Sequence, residues 1–253
     1  MKMARDTWLV FGRYWSIFVH NPVWVVIGVL QPTLYLVLFA PLLKSIARMP
    51  GFPPGGAYNV FVPGLLIQLG LFGASGVGFG LIAELRAGVI ERLRVTPVSR
   101  LALLLGRAMR DILMLLLQSA ILVTLALPFR LSINLQGTLI VLGLVALIGL
   151  MTASIAYTVA LAVRSEDAYA PIIFTATLPI LLLSGVLLPL TLAPDWLRAI
   201  ARANPLSYAV DAARAVFNDN LGDVSVERGV VIMVVLASIA VVLAARSFGR
   251  AVA

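Results

Sequence analysis

The chain has 253 residues, of which 61% are hydrophobic and 12% are charged, and its mean hydropathy is +1.05. This composition leaves too little polar surface to cover a soluble globule, which excludes soluble enzymes and soluble binding modules. The absence of cysteine excludes disulfides, thiol nucleophiles and Cys-ligated metals, and we interpret the net charge of +8 as attraction to an anionic membrane leaflet rather than to nucleic acid.

The amino-terminal segment, residues 1–21, predicts a helix that lies in the membrane interface. Its aromatic residues share one helical face, opposite a polar face with Asp6, Arg13 and His20. No cleavable signal peptide is expected, because charges interrupt every short apolar run. The aromatic residues are Trp8, Phe11, Trp15 and Phe18.

Six apolar segments follow, and each is long enough as a helix to cross about 30 Å of hydrocarbon. Their periodicity is helical and lacks the alternation of an outer-membrane barrel. No linker divides the chain, so we expect a single domain over residues 1–253. The predicted class is an all-α polytopic membrane protein with spans at 22–43, 59–83, 101–127, 137–163, 171–192 and 229–245.

Lys and Arg are concentrated in alternate connections, which predicts that both termini lie on the cytoplasmic side. The short loops of the opposite side hold only Lys44, Arg48 and Arg130. The second span carries four glycines that predict close helix approach: Gly70, Gly73, Gly76 and Gly80.

The segment ELRAGVIERLRVTPVSR, residues 84–100, is polar and lies between two spans. Its six charges would cost on the order of 18 kcal/mol at the bilayer centre, which keeps it out of the lipid. Leu85, Val89 and Leu93 predict one apolar stripe on a short cytoplasmic helix. That helix should stop before Thr96-Pro97, with Thr96 capping the next one.

Recognisable catalytic and cofactor motifs are missing from the sequence. There is no GxxxxGK[ST] phosphate loop, no HExxH motif and no cluster with metal-ligand spacing. The acidic residues lie near span ends, which argues against a proton relay. Asp111 lies deepest, and with Arg107 four residues before it on the same face and Arg110 adjacent it is expected to form a local ion pair near the head groups. We therefore expect a chain that is not an enzyme and binds no cofactor or metal.

Residues 193–220 predict two short amphipathic helices on the outer face, at 194–203 and 205–217. A surface position and a partial dip into the membrane are both compatible with this pattern. The apolar face of the second helix holds Leu206, Val210, Ala213 and Phe217, and its polar face holds Ser207, Asp211, Arg214 and Asn218.

Two of these segments resemble the type-2 ABC exporter permeases, especially the daunorubicin-resistance-like branch. ERLRVTPVSRLALLLGRAMRD, residues 91–111, is similar to the family's charged helix, T-P-x-S-R turn and G-R…D span start. SGVLLPLTLAPDWLRAIARANPLSYAVDAARAVF, residues 184–217, is similar to its S-G…P-x-W-L…N-P-x-x-Y…D-x-x-R segment. With six spans and the interfacial helix, the resemblance covers nearly the whole chain.

The resemblance implies a permease subunit that exports a hydrophobic or amphipathic cargo, such as a drug, lipid or secondary metabolite, from a bacterial cytoplasmic membrane. A separately encoded ATPase subunit would hold ATP and magnesium, and a second copy of the chain or a homologous permease would complete the transporter. The coupling helix seated on the ATPase would comprise Glu84, Leu85, Arg86, Val89, Glu91, Arg92, Leu93 and Arg94. The translocation path would include Gln68, Phe72, Ser75, Phe79, Thr175 and Thr177.

Three alternatives remain open. A glycan or lipid-linked polymer exporter has the same fold, although no rings of aromatic residues at regular depth mark a wide channel. A secondary transporter driven by an ion gradient would need intramembrane carboxylates or broken helices in repeated halves. A non-transporting scaffold or sensor subunit is the third alternative.

Overall fold

The computed structural model describes residues 2–20, 23–47, 50, 52–53, 55–89, 92, 98–129, 131 and 134–251. Within these ranges the chain is helical and contains no strand, which confirms the all-α class. The helices are α1 Lys2–Val19, α2 Val23–Leu34, α3 Ala40–Ile46, α4 Gly56–Ser75, α5 Val77–Arg86, α6 Arg100–Ala126, α7 Leu135–Val163, α8 Glu166–Leu182, α9 Asp195–Ala201, α10 Pro205–Phe217 and α11 Val224–Ala251.

Among the described residues, four helical stretches are long and apolar enough to cross a membrane, judged by length and composition. They are Gly56–Arg86, Leu101–Phe129, Leu135–Val163 and Val224–Gly249. They correspond to the second, third, fourth and sixth predicted spans. The structure therefore confirms a polytopic helical protein.

The first and fifth predicted spans are interrupted or shorter. α2 contains Pro32 and passes into α3 through a π-helical turn, Tyr35–Phe39. Pro41, at the start of α3, follows this turn, and a proline removes one backbone donor and disturbs the turn before it. The fifth span was predicted to reach residue 192, but α8 ends at Leu182, and Gly185 then adopts φ 77° in an irregular turn. The prediction was wrong there because hydropathy does not register a left-handed backbone.

α4 forms the centre of the bundle. It packs against α6, α7 and α10, while α11 covers α7 and α10 on the other side. Apolar residues occupy its whole circumference, and this pattern is typical of a helix surrounded by other helices. A displacement of either end of α4 would therefore also displace the helices that pack against it.

The glycines of the second span confirm the predicted close approach at two positions only. A Cβ on Gly73 would lie 2.5 Å from Leu115 Cδ2, and one on Gly70 would lie 3.3 Å from the Val145 carbonyl of α7. Gly76 and Gly80 have nothing within 4 Å. The described subunit supplies no neighbouring helix there, so close approach at these two positions stays a prediction.

α1 packs along α6, as an interfacial helix beside the bundle would. The rings of Trp8, Phe11, Trp15 and Phe18 form one continuous row, with centroids 5.2–5.9 Å apart. Trp8 remains 64% exposed, whereas Phe11 and Phe18 are buried. The predicted aromatic face is confirmed, and half of it contacts protein. The predicted position in the interface stays a prediction.

Candidate functional site

The polar segment at residues 84–100, which we call the docking segment, is divided by a glycine with a left-handed backbone conformation. Gly88 adopts φ 66°, and its N–H donates to the Leu85 carbonyl at 3.2 Å, which ends α5. Arg92 N–H donates to the Gly88 carbonyl at 3.2 Å, so a new helical turn begins after the glycine. The predicted stripe of Leu85, Val89 and Leu93 is therefore interrupted. Leu85 packs against the core at the end of α5, and Val89 follows the turn.

Part of this segment lies outside the described residues: Glu91, Leu93, Arg94, Thr96 and Pro97. The first described helical cap after it is Ser99, whose Oγ accepts a hydrogen bond from the Ala102 N–H at 3.2 Å. The sequence placed this cap at Thr96. Serine in an extended conformation immediately before a helix is equally suited to capping, so local propensity did not distinguish the two positions.

Arg86 and Arg92 present exposed guanidinium groups in the described part of the segment. Arg86 lies 3.4 Å from Glu166 at the start of α8, and both side chains are exposed. Exposed pairs of this kind stabilise by less than about 1 kcal/mol, so Arg86 remains available to a partner. Arg92 makes no side-chain hydrogen bond or ion pair with any residue that the structure describes.

Glu84 faces the inside of the protein. Its two carboxylate oxygens accept hydrogen bonds from Arg107 Nη1 and Nη2, each at 2.8 Å, and the Tyr14 hydroxyl donates to Oε2 at 2.8 Å. A bidentate arginine–carboxylate pair fixes both direction and distance. Burial raises the pKa of the Tyr14 hydroxyl to about 12, so it stays protonated and can donate. The carboxylate predicted to dock thus joins α5, α6 and α1.

The pair continues into a larger buried group that we call the anchor cluster. The guanidinium of Arg107 lies 4.8 Å from the ring centre of Tyr14 and 5.7 Å from that of Tyr157 on α7. A cation over two aromatic faces is attracted by both ring quadrupoles. The members of the anchor cluster are Tyr14, Glu84, Arg107, Arg110, Asp111 and Tyr157.

Asp111 forms its local ion pair with the adjacent arginine and not with the one four residues before it. Its carboxylate pairs with Arg110 and accepts a hydrogen bond from the Tyr157 hydroxyl. Arg107 pairs with Glu84 instead, 23 residues away in sequence. The predicted local ion pair of Asp111 is therefore present, and of the two arginines named for it Arg110 is the partner. The two carboxylates and two guanidinium groups still balance, so the cluster carries no net charge.

The predicted path residues do not share one surface. Within the described subunit three of them are buried, with exposed fractions of 2–6%: Gln68, Ser75 and Thr177. Phe72 and Phe79 are half-buried, and Thr175 is exposed on α8. Only these last three can contribute to a surface shared with another subunit.

Tyr169 is a residue at this place that the sequence reasoning missed. Its hydroxyl donates to the Ser75 carbonyl at 2.6 Å, and its ring meets Phe79 edge-on at 4.8 Å. A Cβ on Gly78 would lie 2.2 Å from the same hydroxyl. The carbonyl of Ser75 lies at the break between α4 and α5, so Tyr169 holds α8 at that break. A tyrosine near a predicted span end was the available signal.

α8 leaves most of its surface without a partner in the subunit. Its buried residues follow each other every fourth position and form one narrow stripe: Tyr169, Ile173, Thr177 and Leu181. The remaining faces expose large apolar side chains, among them Phe174 and Leu178. A helix in lipid or beside a second subunit would show this pattern.

A second buried arginine closes the opposite end of the bundle. Arg214 on α10 donates through Nε to the Val60 carbonyl at 2.9 Å and through Nη2 to the Gly185 carbonyl at 2.7 Å. We call this arrangement the Arg214 clamp. It holds the irregular turn after α8 against α4, where a Cβ on Gly64 would lie 2.6 Å from the Val186 carbonyl.

The predicted polar face of α10 is therefore only partly exposed to the surroundings. Ser207 and Arg214 are 5% and 6% exposed, whereas Asp211 is exposed and Asn218 half-buried. Helical periodicity distinguished the two faces, but it did not indicate that the polar face packs on the turn after α8. Asn204 caps α10 as predicted, accepting from the Leu206 N–H at 3.1 Å.

Comparison with known proteins gives consistent results. The profile of the family described as ABC-2 type transporter matches residues 5–218. The chain is 31% identical over 204 residues to a protein of Pyropia yezoensis named as a transport permease, ycf38, covering 79% of this chain and 69% of that one. It is 24% identical over 215 residues to the daunorubicin resistance ABC transporter permease protein DrrB1 of Streptomyces coeruleorubidus, covering 81% and 72%. It is also 26% identical over 218 residues to a ycf38 permease of Cyanophora paradoxa, covering 85% and 74%.

Proposed function

Because this chain belongs to the ABC-2 type transporter family, we propose that it is the permease subunit of an ATP-driven exporter of hydrophobic or amphipathic molecules. Its relatives include a permease named for daunorubicin resistance, which supports a lipophilic cargo. The sequence carries no phosphate loop of its own, so ATP and magnesium belong to a separate ATPase subunit. The relatives from Pyropia and Cyanophora give no support to the predicted bacterial origin of the chain.

The anchor cluster is the observation that carries this proposal. The docking segment emerges from α5 two residues after Glu84, and Glu84 is bonded rigidly to α6 and α1. A displacement of the segment by a closing ATPase would therefore move α5, α6 and α1 together. Arg86 and Arg92 would give the contact its partner choice, since charges at an interface favour specificity over raw affinity. Glu84 acts in this scheme as a positioning residue.

A second copy of the chain is part of the proposal. The exposed faces of α8 and α5 would meet their counterparts in the partner subunit, with Phe72, Phe79 and Thr175 at the boundary. Gly76 and Gly80 leave open space beside α5, which permits close approach of another helix. A path bounded mainly by aromatic and aliphatic groups suits a lipophilic cargo.

The orientation follows from the distribution of Lys and Arg between connections. The docking segment and both termini would face the cytoplasmic side, and α9 and α10 the opposite side. Cysteine-accessibility labelling in this cysteine-free chain would test it. A single cysteine at Arg92 should react only from the ATPase side, and one at Asp195 only from the other.

The ATPase contact is tested by affinity purification in a mild detergent. The wild-type chain should bring along a soluble ATP-binding subunit. The double variant Glu91→Arg with Arg92→Glu should lose it, because both charges at the docking surface are reversed. Arg228→Glu, an exposed arginine at the start of α11, serves as the control and should retain the ATPase. Unchanged co-purification with the double variant would contradict the assigned surface.

Export is tested in inside-out vesicles that contain both subunits. A fluorescent lipophilic amine should accumulate with ATP and not with a non-hydrolysable analogue. Accumulation driven by a proton gradient without ATP would favour the secondary transporter. Uptake of a lipid-linked oligosaccharide in place of the amine would favour the polymer exporter.

A further inference from the structure

A cavity of about 780 Å³ lies beside the Arg214 clamp, among α9, α10, the 3₁₀ turn Leu190–Leu192 and the start of α11. This volume is typical of a site for a small molecule or a lipid head group. Its lining includes three arginines and two aspartates. The charged residues of the lining are Arg198, Arg202, Asp211, Arg214 and Asp223.

Two of these charges are already satisfied by neighbouring groups. Asp223 accepts hydrogen bonds from the Ser225 N–H at 2.8 Å and from Asn220 Nδ2 at 3.1 Å. Those bonds hold the pKa of its carboxyl below the usual range. Arg198 pairs with Asp195 at 3.1 Å and also donates to a backbone carbonyl at 3.1 Å.

The other three charges are not satisfied within the described residues. Arg202 makes no side-chain hydrogen bond or ion pair there, and neither does the carboxylate of Asp211. Arg214 donates to carbonyls through Nε and Nη2, which leaves Nη1 free to donate into the cavity, and its charge attracts Asp211 without forming an ion pair. Unpaired groups of both signs therefore line one cavity.

The elements that line the cavity also expose apolar side chains, on faces that point away from it. Trp196 is 64% exposed and Ile200 is 50% exposed, one turn apart on α9. Leu192 in the preceding 3₁₀ turn is also exposed. Tryptophan at a helix surface is enriched at the level of lipid head groups. These residues favour a position of α9 at the level of the lipid head groups, next to the cavity.

We propose that this cavity binds the head group of a zwitterionic amphiphile that carries both an ammonium and a phosphate group. The phosphate would accept hydrogen bonds from Arg214 Nη1 and from Arg202, and the ammonium would donate to Asp211. A purely anionic head group would leave Asp211 facing a like charge. A purely cationic one would leave both guanidinium groups without a counter-ion, and for Arg214, which is buried, an unpaired charge is costly. Only a ligand of both signs complements the lining.

Binding is tested on the full chain purified without the ATPase, so the result does not depend on export. Dissociation constants are measured by titration calorimetry with three amphiphiles of one chain length. Lysophosphatidylethanolamine carries both charges, lysophosphatidylglycerol only the phosphate, and an alkylamine only the ammonium. The first should bind at least about tenfold more tightly than either of the others, because each charge-assisted hydrogen bond contributes about 1.5–3 kcal/mol. Equal affinities for all three would overturn the proposal.

Variants identify the residues without disturbing the clamp. Asp211→Asn should lower the affinity for lysophosphatidylethanolamine to that for lysophosphatidylglycerol. Arg202→Gln should weaken both phosphate ligands several-fold and leave the alkylamine unchanged. The matched controls lie outside the cavity: Asp219→Asn, at a φ of 58° that asparagine tolerates, and Arg228→Gln. Unchanged affinities in Asp211→Asn and Arg202→Gln would overturn the proposal.

Two sources of such a head group are separated by mass spectrometry of the lipids that remain with the purified chain. A resident membrane lipid should appear as an enriched aminophospholipid in wild type and be depleted in Asp211→Asn. A transported zwitterion should instead be missing from this extract while the lysophosphatidylethanolamine preference persists. Either pattern supports the site, whereas an unselective lipid extract without that preference contradicts it.

Discussion

The two ends of the bundle each bury an arginine, but they satisfy it in opposite ways. Arg107 faces a carboxylate of α5 in a bidentate pair at 2.8 Å, with tyrosine rings on either side. Arg214 has no carboxylate within ion-pair distance and is held by backbone carbonyls. Burial lowers the pKa of Arg214 to about 10, so it still carries its charge at neutral pH.

The two arginines therefore have different structural roles. A charge pair between side chains joins whole helices, because each partner is fixed on its own helix. An arginine on carbonyls holds a particular backbone conformation, here the turn that follows α8. The anchor cluster is therefore suited to transmit motion between helices, and the Arg214 clamp to hold one loop closed.

The largest effect is expected from Arg107→Met. Removal of Arg107 leaves the partly buried carboxylate of Glu84 beside Tyr14 without a counter-ion. Breaking a fully buried pair costs about 3–5 kcal/mol, which is the upper bound for this one. Thermal unfolding of the purified chain should show a marked loss of stability. The double variant Arg107→Met with Glu84→Gln should recover part of it. If the loss of stability in the double variant equals the sum of the losses in the two single variants, the ion pair does not hold the helices together.

A smaller effect is expected from Arg214→Met. Only neutral carbonyls lose their donors, so the cost should be about 2–3 kcal/mol. A cysteine introduced at Val186 should become accessible to a water-soluble maleimide in this variant and stay protected in wild type, where Val186 is 1% exposed. Arg198→Met, on the exposed face of α9, is the control. A loss of stability equal to that of Arg107→Met would erase the distinction between the two ends.

The smallest effect is expected from Tyr14→Phe. Glu84 keeps its bidentate partner, so removal of one hydrogen bond should cost about 1 kcal/mol. We expect the same variant to lower cargo-stimulated ATP hydrolysis without releasing the ATPase, because α1 is no longer bonded to α5. Tyr208→Phe, which removes a hydroxyl bonded to the Arg202 carbonyl, is the matched control at the other end. Normal stimulation in Tyr14→Phe would show that α1 takes no part in coupling.

The docking surface shows how far sequence reasoning reached. The polar segment between two spans was identified from charge cost alone, and its exposed arginines are where the sequence places them. The assignment of Glu84 to that surface rested on its position in the segment. Its side chain instead turns to Arg107, because α5 continues for one more turn before Gly88 ends it. Backbone handedness at a glycine is not visible in a pattern of polar and apolar residues.

The sequence by itself determined the helical membrane class, the approximate positions of four long apolar helices, the polar segment at residues 84–100 and the capped start of α10. Each of these depends on local rules: about 20 apolar residues to cross the lipid, the cost of charge in hydrocarbon, and asparagine before proline at a helix start. Only the tertiary structure decided which carboxylate Arg107 meets, that Arg214 is buried, and that Tyr169 supports the break at Gly76. These contacts join residues 23–154 positions apart, so they depend on how the helices pack.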